Sequence, residues 1–79
     1  MAIRVVETAI HECRLFYPDV FPDDRGFFKE LYSRRKYAAL GLSDDFVQES
    51  VSFSSRNVLR GLHCDPEMSK LVQVLRGKV

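Results

Sequence analysis

Short apolar runs, separated by turn-forming residues at intervals of about ten residues, most strongly restrict how this chain can fold. Runs of this kind, rich in β-branched and aromatic residues, favour strands over helices. The segments predicted to be strands are Ile3 to Val6, Arg14 to Tyr17, Phe27 to Tyr32, Phe46 to Phe53, Val58 to His63, and Lys70 to Leu75. The pattern predicts a mainly β fold, an antiparallel sandwich or barrel.

One short helix is predicted within this β pattern. Ser33 is a residue type that caps helix N-termini, and Gly41 is predicted to occupy the C-cap position. Between them, Tyr37 and Leu40 are three residues apart and would dock on the sheet together. The sequence therefore predicts a helix from Arg34 to about Leu40.

The segment from Pro18 to Gly26 is predicted to be a loop, because prolines, aspartates and a glycine interrupt it. In the strand that follows, alternation places Glu30 on one face with two aromatic residues, Phe28 and Tyr32. If that face lines a cavity, the carboxylate needs a cationic partner, and Arg25 is the nearest candidate in the sequence. If the face is exposed to solvent, Glu30 does not indicate a functional site.

Polar residues alternate along the predicted strand Phe46 to Phe53. Gln48, Ser50 and Ser52 share one face of it, opposite an apolar face. Hydrogen-bonding side chains at alternate positions suit the interior of a small ligand-holding barrel, and they also suit a solvated sheet face. The solvated face is the default interpretation.

His63 and Lys70 lie at the ends of neighbouring predicted strands and could share one pocket. A histidine titrates near neutrality and can remove a proton from carbon. A lysine ammonium can hold the negative charge that this leaves on an oxygen. Gly61 could carry a bulge that brings Arg60 and His63 to one side of the sheet. On these residues alone, an ordinary strand-end histidine and a solvated lysine are the default interpretation.

Composition limits the chain to one domain with a modest core. The 79 residues are 46% hydrophobic and 29% charged with a net charge of +1, so no broad electrostatic argument points to nucleic acid or a membrane. No apolar run approaches the length of a membrane span.

The triplet Arg34 to Lys36 is interpreted as a solvated helix face, with a phosphate or nucleic-acid patch as the alternative. Cys13 and Cys64 are predicted to be reduced thiols of a cytoplasmic protein, and His11 to be a surface residue.

The last residues predict an unfinished sheet. Arg76-Gly77 is a turn signal, and Lys78-Val79 looks like the start of another strand. We therefore expect a fragment, or a chain that completes its sheet with a partner, because an exposed sheet edge is a liability for a free monomer.

Several motifs, taken in their order along the chain, resemble the N-terminal half of the dTDP-4-dehydrorhamnose 3,5-epimerase family. They are Arg25-Gly26-Phe27-Phe28-Lys29-Glu30, then Phe46-Val47-Gln48, then Ser54-Ser55 leading to Val58-Leu59-Arg60-Gly61-Leu62-His63, and then Lys70-Leu71-Val72. Members of this family are metal-independent cupin enzymes of dTDP-L-rhamnose and related deoxysugar pathways, and they are more than twice as long as this chain. The resemblance implies a cupin or jelly-roll β-sandwich barrel, truncated here, with residues 1–79 as the N-terminal part of a single domain.

The resemblance also implies a role for particular residues. His63 matches the base that removes the protons at C3 and C5 of a dTDP-4-keto-6-deoxy sugar, and Lys70 matches the lysine that stabilises the enolate oxygen. Residues that match substrate-binding positions are Arg25, Phe28, Glu30, Gln48, Ser50 and Arg60, of which the first three contact the nucleotide, in part across a dimer. A structural ion pair between Arg25 and Glu30 is the alternative for those two residues. The implied protein is a cytoplasmic, homodimeric isomerase that needs no cofactor or metal.

Departures from the family pattern leave the exact sugar and the number of epimerised centres open. The tyrosine acid and the histidine-orienting aspartate of the family belong to its second half, which this sequence does not include. Ser50 replaces an asparagine, Cys64 replaces an aromatic residue, and the loop between His63 and Lys70 is shorter. The alternatives are a non-catalytic truncated cupin that binds a sugar nucleotide or a partner chain, and a metal-dependent cupin. The latter needs a histidine cluster, whereas the stretch from His63 to Asp65 supplies one histidine.

Overall fold

The computed structural model describes residues 2–79. The chain divides into two compact units, Met1–Asp45 and Phe46–Val79, and each is described by itself. Within the described residues, the regular elements are four strands and one helix, all in the first unit. Both strand pairs are antiparallel. The prediction of a mainly β fold with one short helix is confirmed.

The first hairpin consists of β1 (Ile3–Glu7) and β2 (Arg14–Pro18), close to the predicted strands. In its register, Val5 lies opposite Phe16. These two side chains are half-buried, whereas Leu15 and Tyr17, on the other face, are exposed. One face of the hairpin is therefore covered and the other meets solvent, as alternation along a half-buried strand requires.

The helix α1 (Arg34–Ala39) begins where the sequence predicts. Ser33 has an extended backbone, and its side-chain oxygen accepts a hydrogen bond from the Lys36 N–H at 3.4 Å. This satisfies one of the amide groups that a helix leaves unpaired at its N-terminus. The predicted N-cap is confirmed.

The helix ends one residue before the predicted end, with Leu40 as the C-cap residue. Gly41 follows with a φ of +93°, and its N–H donates to the Ala38 carbonyl at 3.0 Å. The N–H of Leu42 donates to the Tyr37 carbonyl at 2.9 Å. This pair of hydrogen bonds forms the Schellman motif. The motif needs one residue with a left-handed backbone conformation and therefore favours glycine.

Tyr37 is the centre of the first unit. Its side chain is only 3% exposed, and within residues 2–79 it is the one buried hydrophobic residue. Its ring centroid lies 5.1 Å from that of Phe16 and 5.4 Å from that of Tyr32. The tilted contact with Phe16 joins α1 to the half-buried face of β2. The prediction that Tyr37 docks the helix on the sheet is confirmed, and the same role for the Leu40 side chain stays a prediction.

A second hairpin begins within the segment predicted to be a loop, so that prediction is wrong for Phe21–Asp23. It pairs β3 (Phe21–Asp23) with β4 (Gly26–Phe28). The carboxylate of Asp23 accepts the Arg25 N–H at 2.8 Å, which closes a tight turn between the strands. Of the residues that predicted a loop, Pro22 and Asp23 lie in β3, Gly26 lies in β4, and Asp24 lies in the turn between them.

The predicted strand Phe27 to Tyr32 is too long. β4 ends at Phe28, and residues 29–33 are irregular. β3 has only three residues, so it pairs with no residue beyond Phe28. A strand ends where its partner ends, because the backbone groups beyond that point have nothing to pair with.

The unit Phe46–Val79 contains no described strand or helix. The strands predicted for residues 46–53, 58–63 and 70–75 are therefore not formed. Turns lie at 56–57 and 66–67, where the sequence predicts them. Apolar side chains of this unit remain exposed, with Leu59 at 92% and Val47 at 88%. Isolated strands are not stable without a partner strand and a covering layer.

Among residues 2–79, no helix combines the length and the apolar character that a membrane crossing needs.

Candidate functional site

The residues singled out from the sequence divide between the two units. The first unit carries Arg25, Phe28 and Glu30, and the second carries Gln48, Ser50, Arg60, His63 and Lys70.

Arg25 lies in the turn between β3 and β4 and is clamped to Asp23. Its Nη2 lies 2.5 Å from Asp23 Oδ2, and its Nε lies 3.3 Å from Oδ1. These side-chain hydrogen bonds, with the backbone N–H of Arg25, hold the pKa of Asp23 below its ordinary value. Arg25 makes no ion pair with Glu30, so the proposed structural pairing of those two residues is wrong. Within residues 2–79, its Nη1 makes no hydrogen bond and can still donate to a ligand.

Phe28 ends β4 directly opposite Phe21 of β3. The two residues are 60% and 43% exposed, and the adjacent Phe27 is 69% exposed. The three exposed phenylalanine rings of this hairpin offer flat apolar surfaces on which a planar base can stack.

Glu30 follows β4 and is paired with a residue that the sequence did not single out. Its Oε1 lies 3.0 Å from the Nζ of Lys36, and the two side chains are 31% and 29% exposed. Glu30 is therefore the partly buried, partnered carboxylate that one of the two interpretations required, but its partner is not Arg25.

The same carboxylate acts on the core tyrosine. Burial of Tyr37 is the larger reason that its pKa is raised, and the negative charge of Glu30 is the second. Glu30 thus interacts electrostatically with both Lys36 and Tyr37.

Sequence reasoning missed Lys36 because it was interpreted as part of a solvated helix face. Arg34 and Arg35 are indeed exposed, and Arg34 lies 3.6 Å from Asp45. Lys36 differs because it is the third residue after the cap Ser33, and side chains at that position point back towards the preceding segment. The predicted N-cap at Ser33 was therefore the sequence signal that could have identified Lys36.

Arg60 is held within its own unit by contacts across the turn at 56–57. Its Nε donates to the Ser54 hydroxyl at 2.9 Å, and its Nη2 donates to the Phe53 carbonyl at 3.3 Å. The guanidinium is thereby oriented while the residue stays exposed.

His63 and Lys70 are both exposed, as are Gln48 and Ser50. Within the described part of the chain, neither His63 nor Lys70 forms a hydrogen bond or an ion pair. Their convergence in one pocket stays a prediction.

An open cleft elsewhere on the first unit is lined by Glu7, His11, Glu12 and Arg14. His11 is exposed, as predicted. Residues 2–79 contain no group of three or more His, Cys, Asp or Glu side chains that could hold a metal ion. Cys13 and Cys64 are free and exposed.

Comparison with known proteins decides the family. The sequence profile described as dTDP-4-dehydrorhamnose 3,5-epimerase matches residues 7–79. The chain belongs to the dTDP-4-dehydrorhamnose 3,5-epimerase family. The residues singled out above all lie within the matched range.

Curated relatives that carry the name dTDP-4-dehydrorhamnose 3,5-epimerase support this assignment. The chain is 44% identical to the Pseudomonas aeruginosa protein over 80 residues, which cover 98% of the chain and 44% of that relative. It is 41% identical to the Escherichia coli K12 protein, with the same two coverages. It is 38% identical to the Methanothermobacter thermautotrophicus protein, with coverages of 96% and 42%. The chain therefore spans less than half the length of these epimerases. No solved structure matches it significantly.

Membership of the epimerase family confirms the resemblance drawn from the motifs. The antiparallel strands and single helix of the first unit are consistent with a truncated cupin-like fragment of such an epimerase.

Proposed function

We propose that this chain supplies the base, the enolate-stabilising cation and part of the nucleotide-binding surface of a nucleotide-sugar 3,5-epimerase. The substrate would be a dTDP-4-keto-6-deoxy sugar of rhamnose-type biosynthesis. The observation that carries the proposal is the match of residues 7–79 to the epimerase family, because that range includes every motif residue.

The proposed reaction moves protons and requires no net oxidation. His63 takes the proton from a carbon next to the C4 ketone, and the C–H electrons form the enolate, with the charge on the C4 oxygen. Lys70 stabilises that oxygen, which makes the carbon acidic enough for a neutral base. Return of a proton to the opposite face inverts the centre and restores the ketone.

The nucleotide is proposed to bind at the β3–β4 hairpin and at the residues that follow it. Arg25 would donate to the phosphates, Phe28 would stack on the base, and Glu30 would accept a hydrogen bond from the nucleoside. The guanidinium of Arg25, which Asp23 orients, and the 60% exposed ring of Phe28 support this role, since both groups are accessible to a ligand. Gln48, Ser50 and Arg60 would complete the contacts with the sugar and the phosphates.

We further propose a cytoplasmic homodimer. The exposed aromatic residues of the hairpin support an assembly in which a second copy covers them. Two free, exposed thiols suit a reducing compartment.

Solvent deuterium exchange tests the function directly. The full-length natural protein is incubated in D₂O with a dTDP-4-keto-6-deoxy sugar, and deuterium at C3 and C5 is followed by NMR. We expect incorporation at one or both carbons. Tight binding of dTDP without exchange would instead support a non-catalytic cupin that binds a sugar nucleotide. Exchange by the full-length protein but not by residues 1–79 would assign the lost step to residues outside this range.

A further inference from the structure

The ion pair between Glu30 and Lys36 is placed differently from the other ion pairs of the first unit. Its two side chains are 31% and 29% exposed, whereas those of Arg25 and Asp23 are 89% and 47% exposed. Water screens a sheltered pair less than an open one. The 3.0 Å contact is therefore an interaction that can hold a carboxylate in place.

The backbone around Lys36 is fixed from both sides. The Lys36 N–H is bonded to the cap residue Ser33, and the next residue, Tyr37, is buried against Phe16. The ammonium group is thus presented from a helix that is anchored on the first hairpin.

The carboxylate of Glu30 has one oxygen engaged and one available. Oε1 accepts from Lys36, while Oε2 makes no hydrogen bond within residues 2–79. An unpaired carboxylate would repel an approaching nucleoside diphosphate, because both groups are anionic. Paired with an ammonium group, the carboxylate is neutralised overall and still has an acceptor atom for an N–H or O–H group.

We propose that Lys36 is a positioning residue of the nucleotide site, which orients Glu30 and neutralises its charge so that Oε2 can accept from the nucleoside. The inference rests on the proposed function. It assigns to Lys36 a role in substrate affinity and not in proton transfer.

The test uses the full-length natural protein with Lys36→Met, Lys36→Arg and Arg35→Met, the last as a matched control on the same helix. The measurements are the Kd of dTDP by calorimetry, the KM and kcat of the exchange reaction, and the Tm. Lys36→Met should raise the Kd and the KM on the order of tenfold, the effect of losing one charge-assisted hydrogen bond, and should leave kcat unchanged. Lys36→Arg should restore both constants to within about twofold of the parent values, because it keeps the charge and the donors. Arg35→Met should change neither constant.

A charge swap separates positioning from simple stabilisation. In Glu30→Lys with Lys36→Glu, the ion pair is rebuilt and the Tm should match that of the parent protein. The acceptor that faces the nucleotide becomes a cation, so the Kd of dTDP should stay raised. Full recovery of both the Tm and the Kd in the swap would overturn the inference.

The failure of this inference can be distinguished from the failure of the proposed function. A parent protein that does not bind dTDP would overturn both. A parent that binds dTDP, with a Lys36→Met variant that binds it equally well and keeps the same KM, would overturn only the positioning role.

Discussion

The guanidinium of Arg14, in β2, donates a 2.8 Å hydrogen bond to the carbonyl oxygen of Leu40, the C-cap residue of α1. Carbonyl groups at the end of a helix lack intrahelical partners and favour a positive charge. The same guanidinium lies 5.4 Å from the centroid of the Phe16 ring. One side chain thereby satisfies the helix terminus and ties it to the first hairpin, so that α1 is held at its C-terminal end as well as through Tyr37.

Arg14→Met should lower the free energy of unfolding by about 1–3 kcal/mol, because a part-buried carbonyl loses a charged donor. Urea unfolding followed by circular dichroism measures the change. Arg35→Met removes the same charge from an exposed site and should change stability by no more than about 0.5 kcal/mol. Equal effects of the two substitutions would contradict the role given to Arg14.

Tyr37→Ala should destabilise the first unit by about 3–5 kcal/mol, the usual loss when a buried aromatic side chain is truncated. The ring is 3% exposed and contacts Phe16 and Tyr32, so its removal leaves a cavity between α1 and β2. Tyr17→Ala is the matched control, since Tyr17 is 47% exposed. Thermal unfolding should show a far larger decrease in Tm for Tyr37→Ala, and similar decreases for both would place the core elsewhere.

The raised pKa of Tyr37 predicts a loss of stability in alkali. Burial, and then the charge of Glu30, raise this pKa above its ordinary value of 10.0. Above about pH 10 the unfolded chain therefore releases the phenolic proton before the folded chain does, and stability decreases as the pH rises. Below that pH both states keep the proton, and the contribution is fully present. Tm measured from pH 8 to pH 11 should decrease less steeply in Tyr37→Phe than in the parent, and parallel curves would refute the assignment.

Gly41→Ala should destabilise the chain by about 1–2 kcal/mol, because a φ of +93° is strained for a residue with a Cβ. The added methyl group would also lie 3.1 Å from the Arg14 Nη1, which would have to move. Gly41→Asn should cost less, since asparagine tolerates left-handed backbone better than alanine does. Chemical unfolding of the two variants side by side gives the comparison, and an alanine variant as stable as the parent would argue against the Schellman end.

His63→Ala in the full-length natural protein should remove nearly all deuterium exchange at C3 and C5 while leaving the Kd of dTDP mostly unchanged, because the proposed base is lost and the proposed nucleotide contacts remain. His11→Ala is the control, since His11 is the other histidine and is also exposed. Calorimetry with dTDP and NMR in D₂O separate binding from proton transfer. Exchange at the parent rate in His63→Ala would eliminate His63 as the base.

Local sequence signals were sufficient for the first hairpin and for the helix. β1 and β2 follow from β-branched and aromatic runs, and α1 follows from a capping serine and a terminal glycine. These features depend on residues within a few positions of one another. The motif order from Arg25 to Lys70 was likewise enough to identify the family, which the match over residues 7–79 confirms.

The pairing of charged groups needed the tertiary structure. Arg25 bonds to Asp23 at a hairpin turn whose composition predicted a loop. Glu30, in the irregular segment before α1, bonds to Lys36 within that helix. Sequence distance alone favoured Arg25 as the partner of Glu30. The partner of Glu30 depends on the distance between the charged groups in the folded chain, and the backbone path sets that distance.

The sequence by itself determined the strand-forming runs, the helix with its two ends, and the family motifs that contain His63 and Lys70. Only the tertiary structure decided which runs become strands. Residues 14–18 pair with residues 3–7, whereas the β-prone runs of Phe46–Val79 do not pair within residues 2–79. The physical reason is that a helix satisfies its backbone groups within one segment. A strand becomes stable only when another segment accepts its hydrogen bonds and covers its apolar face.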